Sequence, residues 1–153
     1  MTTRAALLAF LRKHRLCVQA STHPGGAPQA AVVGFAVSDE LELVFDTMGT
    51  SRKGANLRRD PRTAIVIGWD DEQSAQIEGL ADEPAGQELA RLKAVYFSVY
   101  PDGVARQAWK DITWVRVVPH WIRFSDFREG SRIVVEWDRA ALDADAGRVV
   151  SRG

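Results

Sequence analysis

Apolar residues recur along this chain at two spacings, one helical and one alternating. Leu7, Leu8 and Leu11, with Phe10 at the edge, form a stripe behind Thr2 or Thr3, a capping pair that predicts a helix to about His14. Leu16, Val18 and Ala20 then alternate with Cys17 and Gln19, the pattern of a half-buried strand. After the turn-forming run His23-Pro24-Gly25-Gly26-Ala27-Pro28, residues 29–37 are nearly all small or apolar and predict a strand covered on both faces. Ser38-Asp39-Glu40 turns the chain into a third strand, 41–46, so three antiparallel neighbours are expected. A short helix from Ser51 to about Arg59 stops at Asp60-Pro61. Strands follow at 63–69 and 74–82 across the polar turn Asp70-Asp71-Glu72. Pro84 is placed in the first turn of a helix to about Tyr100, striped by Leu89, Leu92, Val95 and Tyr96. A short helical piece is expected at 104–110. Residues 112–118 and 121–127 predict two core strands joined tightly at Pro119-His120, with an edge strand at 132–137 and a fraying tail beyond. Many short strands with few helices predict a single mainly β domain over 1–153, a small barrel with peripheral helices, its core at about 5–137.

Composition narrows the functional classes. In 153 residues, 46% are apolar and 26% charged, and twenty basic residues balance twenty acidic ones. A neutral chain offers no whole-molecule attraction for nucleic acid or an anionic membrane, so neither is expected as a partner. Cys17 is the only cysteine, which excludes an intrachain disulfide and a cysteine zinc cluster. His14, His23 and His120 are too scattered for a metal site. The amphipathic N-terminus lacks an uninterrupted apolar core of a signal peptide, and no window has the length of an uncharged span; a cytoplasmic location is expected.

One stretch departs from ordinary helix design. Ser51 is a good N-cap, yet Arg52 and Lys53 follow it, cations where the helix dipole is already positive. Helix first turns favour Asp or Glu, so two cations gain little there unless an anion sits before them. A solvated basic turn is the plainer reading of that spacing by itself. Free N–H groups, a hydroxyl and two cationic side chains together make a phosphate site. Arg58 and Arg59, at the other end of this helix, suit the dipole and need no ligand.

Phe45-Asp46-Thr47, Ser51-Arg52-Lys53, Asn56-Leu57 and Asp60-Pro61-Arg62 with the strand to Trp69 resemble the pyridoxamine 5′-phosphate oxidase-like flavoproteins, and the run 117–126 is similar to members of that superfamily. The resemblance covers roughly residues 5–137 and outweighs the solvated-turn reading. It implies an FMN-binding split β-barrel and an oxidoreductase acting on a small molecule. It implies that Ser51, Arg52 and Lys53 grip the FMN phosphate, and that Asp46 and Thr47 bond the flavin tail or ring. Ala31, Val32 and Val33 would run along the isoalloxazine. Ser74 or Gln76 would reach the flavin of a second subunit, which makes a homodimer the expected assembly.

The chain also departs from the vitamin enzyme. A second-strand basic residue of the family is Ala or Gln here, and the C-terminal Arg-x-His segment that holds pyridoxamine phosphate has no clear counterpart. Flavin binding survives these changes better than pyridoxamine phosphate oxidation does. The rival readings are the deazaflavin F420 at the same helix start, a non-catalytic flavin carrier, and a haem-binding protein.

Overall fold

A computed structural model describes residues 1–152. The chain opens with helix α1 (Arg4–Arg12), capped by Thr3, whose Oγ1 accepts from the Ala6 amide at 3.3 Å. Leu7, Phe10 and Leu11 of α1 are buried against the sheet. Strands β1 (Leu16–Thr22) and β2 (Pro28–Gly34) pair antiparallel, with Val18 opposite Val32. After Phe35 the chain continues as β3 (Ala36–Val37), which pairs β4 (Leu43–Met48) and not β1. Helix α2 (Arg52–Arg59) leads to β5 (Arg62–Ile67) and β6 (Gln73–Asp82). Helices α3 (Gly86–Val99) and α4 (Gly103–Arg106) precede the long strand β7 (Ile112–Asp126), and β8 (Ile133–Asp138), α5 (Arg139–Asp143) and β9 (Arg148–Arg152) complete the chain.

All nine strands belong to one sheet, running β2-β1-β5-β6-β7-β4-β3, with β8 on β7 and β9 on β8. The two ends of that path, β2 and β3, are joined through Phe35, itself buried. The sheet therefore curls on itself as a split barrel. Leu43, Phe45, Ile65, Ile67, Ile77, Val117, Ile122 and Phe124 fill its inside. A second, smaller core lies outside β4, where Ala36, Val44 and Trp114 pack against Leu92 and Tyr96 of α3.

Several expectations are corrected. Pro119-His120 is not a turn: β7 runs straight through it. Glu78 faces Trp121 while Gly79 faces Pro119, so His120 is an extra residue in a bulge. The 29–37 segment is two strands, broken where the chain changes partners, and its outer face is open: Val32 is 61% exposed. Helix α3 begins at Gly86, whose φ of +57° bars an earlier helical start, so Pro84 lies outside the helix. The 132–137 strand is not an edge, since β8 pairs β7 and β9. The tail, as far as it is described, is packed into the fold. Trp137 and Leu142 are buried, β9 extends the sheet, and the Gly147 amide donates to Thr2 O at 2.8 Å.

Cys17 is fully buried, and burial pushes its thiol up to about 12. Among the described residues no helix is long and apolar enough to cross a membrane.

Candidate functional site

The helix start folds as its residues dictate. Ser51 caps α2, its Oγ accepting from the Gly54 amide at 3.1 Å and lying 3.0 Å from Thr47 Oγ1. Lys53 Nζ donates to Thr47 Oγ1 at 3.4 Å. Among the described residues neither Arg52 nor Lys53 meets a carboxylate, whereas Arg91, Arg106, Arg116 and Arg128 are all ion-paired.

The two cations border a cleft of about 450 Å³, a size that accommodates a cofactor. Its opposite wall is β2, through Gln29, Ala30 and Ala31, and its floor is β1, through Gln19 and Ser21. The floor is polar because β1 turns the less apolar of its two faces inward. Cys17, Gln19 and Ser21 are buried, while Leu16, Val18 and Ala20 face outward. Helix α2 makes this possible: Asn56 Nδ2 donates to Ser21 Oγ at 3.1 Å and to Gln29 Oε1 at 2.8 Å. Buried polar groups on β1 are thereby matched by polar groups from the helix that covers them.

The structure brings together only part of the predicted set. Ala31, Arg52 and Lys53 line the cleft, and Thr47 and Ser51 stand behind them in one hydrogen-bonded group. Asp46 points away from that group. Successive strand residues face opposite sides, and its carboxylate accepts from Tyr96 Oη and Arg106 Nε, both at 2.9 Å, beside the α3 core. Burial first, then the Asp46 carboxylate, pushes the Tyr96 hydroxyl well above its usual range, so it stays a donor. Val33 belongs to the barrel core. Val32 and Gln76 lie on the outer face of the sheet, in one cross-strand row Val32–Val18–Val66–Gln76–Arg123. Ser74, two residues from Gln76, shares that face. Gln19, Ser21 and Gln29 were missed. The alternation of Cys17, Gln19 and Ser21 with apolar residues was visible, but not which of the two sets faces inward.

Two further cavities fit an anion less well. One of about 280 Å³ lies across α2 beside Leu57, Pro61 and Val115, where Arg58 is already bound to Glu83 at 2.7 Å. The other, about 470 Å³, is a depression beside Arg62, Glu78 and His120. His23 accepts from the Gly25 amide at 3.2 Å within its own turn.

Comparison with known proteins agrees with this architecture. Residues 3–126 match the family model described as pyridoxamine 5'-phosphate oxidase. A pyridoxine/pyridoxamine 5'-phosphate oxidase of Rubrobacter xylanophilus is 31% identical over 105 residues, 68% of this chain and 46% of that protein. The chain thus spans about half the length of the curated relatives it matches. Among solved structures, a heme binding protein from Mycobacterium smegmatis superposes with a TM-score of 0.79 at 18% identity, covering 94% of this chain and 61% of that one. A pyridoxamine 5'-phosphate oxidase-related, FMN binding protein from Nostoc punctiforme gives 0.70 at 13% identity, covering 97% and 94%. At these identities the structures testify to the fold alone.

Proposed function

The chain belongs to the pyridoxamine 5′-phosphate oxidase family, and on that footing we propose that its cleft binds FMN and serves an oxidoreductase acting on a small molecule. The observation that carries this reading is the pair Arg52 and Lys53, without carboxylate partners among the described residues, at the start of α2 and at the rim of a cleft. A phosphate placed there meets two cations and the positive end of the helix. The residues present fit such a group in a second respect. Gln19, a residue lining the cleft, has a buried Oε1 with no hydrogen-bond donor among the described residues.

In this reading Arg52 and Lys53 hold the phosphate, and Ser51 and Thr47 fix the geometry of the helix start. A bound flavin supplies hydride or electron transfer; the protein binds it, orients it and shields it from water. The absence of an obvious acid–base pair in the cleft is compatible with that division of work. F420 shares the phosphate and is the second candidate for the same helix start. This cleft does not suit haem, because the side chains lining it include no His, Cys, Met or Tyr to ligate iron.

The outer sheet face supports a homodimer in this reading. Leu16 is 49% exposed and Val32 61%, and they share a face with Val18, Val66 and Gln76. A second copy seated on this face covers the apolar row and puts Ser74 and Gln76 within the assembly.

The decisive experiment is an absorbance spectrum of the purified protein, followed by titration of the apo-protein with FMN and with F420. Arg52→Ala and Lys53→Ala are each expected to weaken FMN binding by about 1.5–3 kcal/mol, the range for hydrogen bonds to charged groups. An unchanged affinity in the double variant removes the assignment.

A further inference from the structure

The cleft floor holds an amide that phosphate binding does not use. Gln19 is 1% exposed on the inward face of β1. Its Nε2 donates to Ala20 O at 2.7 Å and to Thr63 Oγ1 at 2.9 Å, while Thr63 Oγ1 donates to the same Ala20 oxygen at 2.7 Å. Two donors converging on one carbonyl fix which end of the amide is the NH2, because a flipped Gln19 would set oxygen against oxygen. Oε1 is left on the other side, buried and without a donor among the described residues. Buried acceptors in native proteins are satisfied, so a lone one at a cleft floor calls for a donor from the occupant.

The groups beside it have the complementary need. Ser21 Oγ accepts from Asn56, which leaves its O–H to donate. Gln29 Oε1 accepts from the same Asn56 NH2, which leaves the Gln29 NH2 to donate. One unpartnered acceptor, Gln19 Oε1, therefore lies near two groups, the Ser21 hydroxyl and the Gln29 NH2, that make no donor bond among the described residues, next to the cations of α2. A phosphate offers only acceptors and does not satisfy Gln19. A hydroxyl offers both a donor and acceptors, so a chain of hydroxyls satisfies all three groups.

We propose that Gln19 is a specificity-determining residue of this cleft: its Oε1 accepts a hydroxyl of the polyol chain that links phosphate to ring in the cofactor. The inference rests on the phosphorylated-flavin reading above and goes beyond it, assigning the hydroxylated linker, not the phosphate, to the floor of β1. Thr63 acts as a positioning residue, holding the amide in the orientation that presents the oxygen.

The test uses two ligands on the full chain: FMN, and a flavin whose side chain is a phosphopentyl group without hydroxyls. Each is titrated into wild type and into Gln19→Met, with Gln19→Leu as a second apolar variant, and affinities are read from flavin fluorescence. Wild type is expected to prefer FMN by about tenfold or more, the value of a hydrogen bond to a buried acceptor. In Gln19→Met that preference is expected to shrink by about tenfold, with the phosphopentyl flavin bound no more weakly than by wild type. An FMN-to-analogue ratio equal in wild type and variant overturns the assignment while leaving the phosphate site standing. Absence of FMN binding to wild type overturns both readings. Should neither variant fold, the wild-type ratio decides, and equal affinities overturn the proposal.

Discussion

Asp126, at the end of β7, is a buried carboxylate held by three side-chain bonds. It accepts from Arg128 Nε and Nη2 at 2.9 and 2.7 Å and from Gln73 Nε2 at 2.9 Å. The Arg128 bonds first, with Gln73 adding and burial opposing, hold its carboxyl well below the usual carboxylate range. A group depressed in the folded state stabilises the protein above its ordinary value near 4, and that contribution is lost as pH falls further. Arg128 is 45% exposed, so solvent screening keeps the gain modest. Asp126→Asn is expected to cost about 1–2 kcal/mol at pH 7. Urea midpoints between pH 6 and pH 2 check this: wild type should converge on the variant toward the acid end, and parallel curves would contradict it. Arg52, Lys53 and Gln19 make the same point from the opposite side. Among the described residues no carboxylate pairs with either cation, and Gln19 Oε1 meets no donor.

At the scale of elements, the end of the chain is a structural part of the fold. Strand β9 pairs β8, and Gly147 lies against the Trp137 indole, where an added Cβ would come within 2.3 Å of a ring carbon. Trp137 is fully buried and has no room to retreat. Gly147→Ala is expected to destabilise the protein by about 1–3 kcal/mol through overpacking, seen as a lower thermal midpoint. None of this was legible in the sequence, where 138–153 is rich in Ala, Asp and Arg and short of apolar periodicity; the placing of its described residues comes from pairing with β8 and from the bond to Thr2. Local chemistry was legible where it decides the outcome. Thr3 and Ser51 cap their helices, Asp60-Pro61 ends α2, and the β-branched run became β5. What escaped depended on partners far away in sequence. The break at Phe35 arises because β2 and β3 serve opposite ends of the sheet, and the inward face of β1 is chosen by Asn56 of α2. Of the candidate site, the capped helix start with its two cations was visible in the local spacing, but that spacing alone favoured a solvated turn and only the family resemblance made it a phosphate site; the Gln19 floor and the turning away of Asp46 required the fold.

At the scale of the whole molecule, the outer face of the barrel presents Leu16 and Val32 to solvent. If a second copy seats there, Val32→Glu places a charge in an apolar contact and should shift the protein to monomer in analytical ultracentrifugation. FMN affinity should fall in the same variant, because Ser74 and Gln76 would then no longer reach a neighbour's flavin. A wild-type monomer that binds FMN fully would contradict the shared site. Cys17 makes such an assembly easy to test for. With its sulfur sealed in the core and kept protonated, the native chain should take up no maleimide or iodoacetamide until it unfolds. Any cysteine introduced on the surface then becomes the sole labelled position, so a single spin label or fluorophore on β2 can measure subunit spacing without first stripping the protein of thiols.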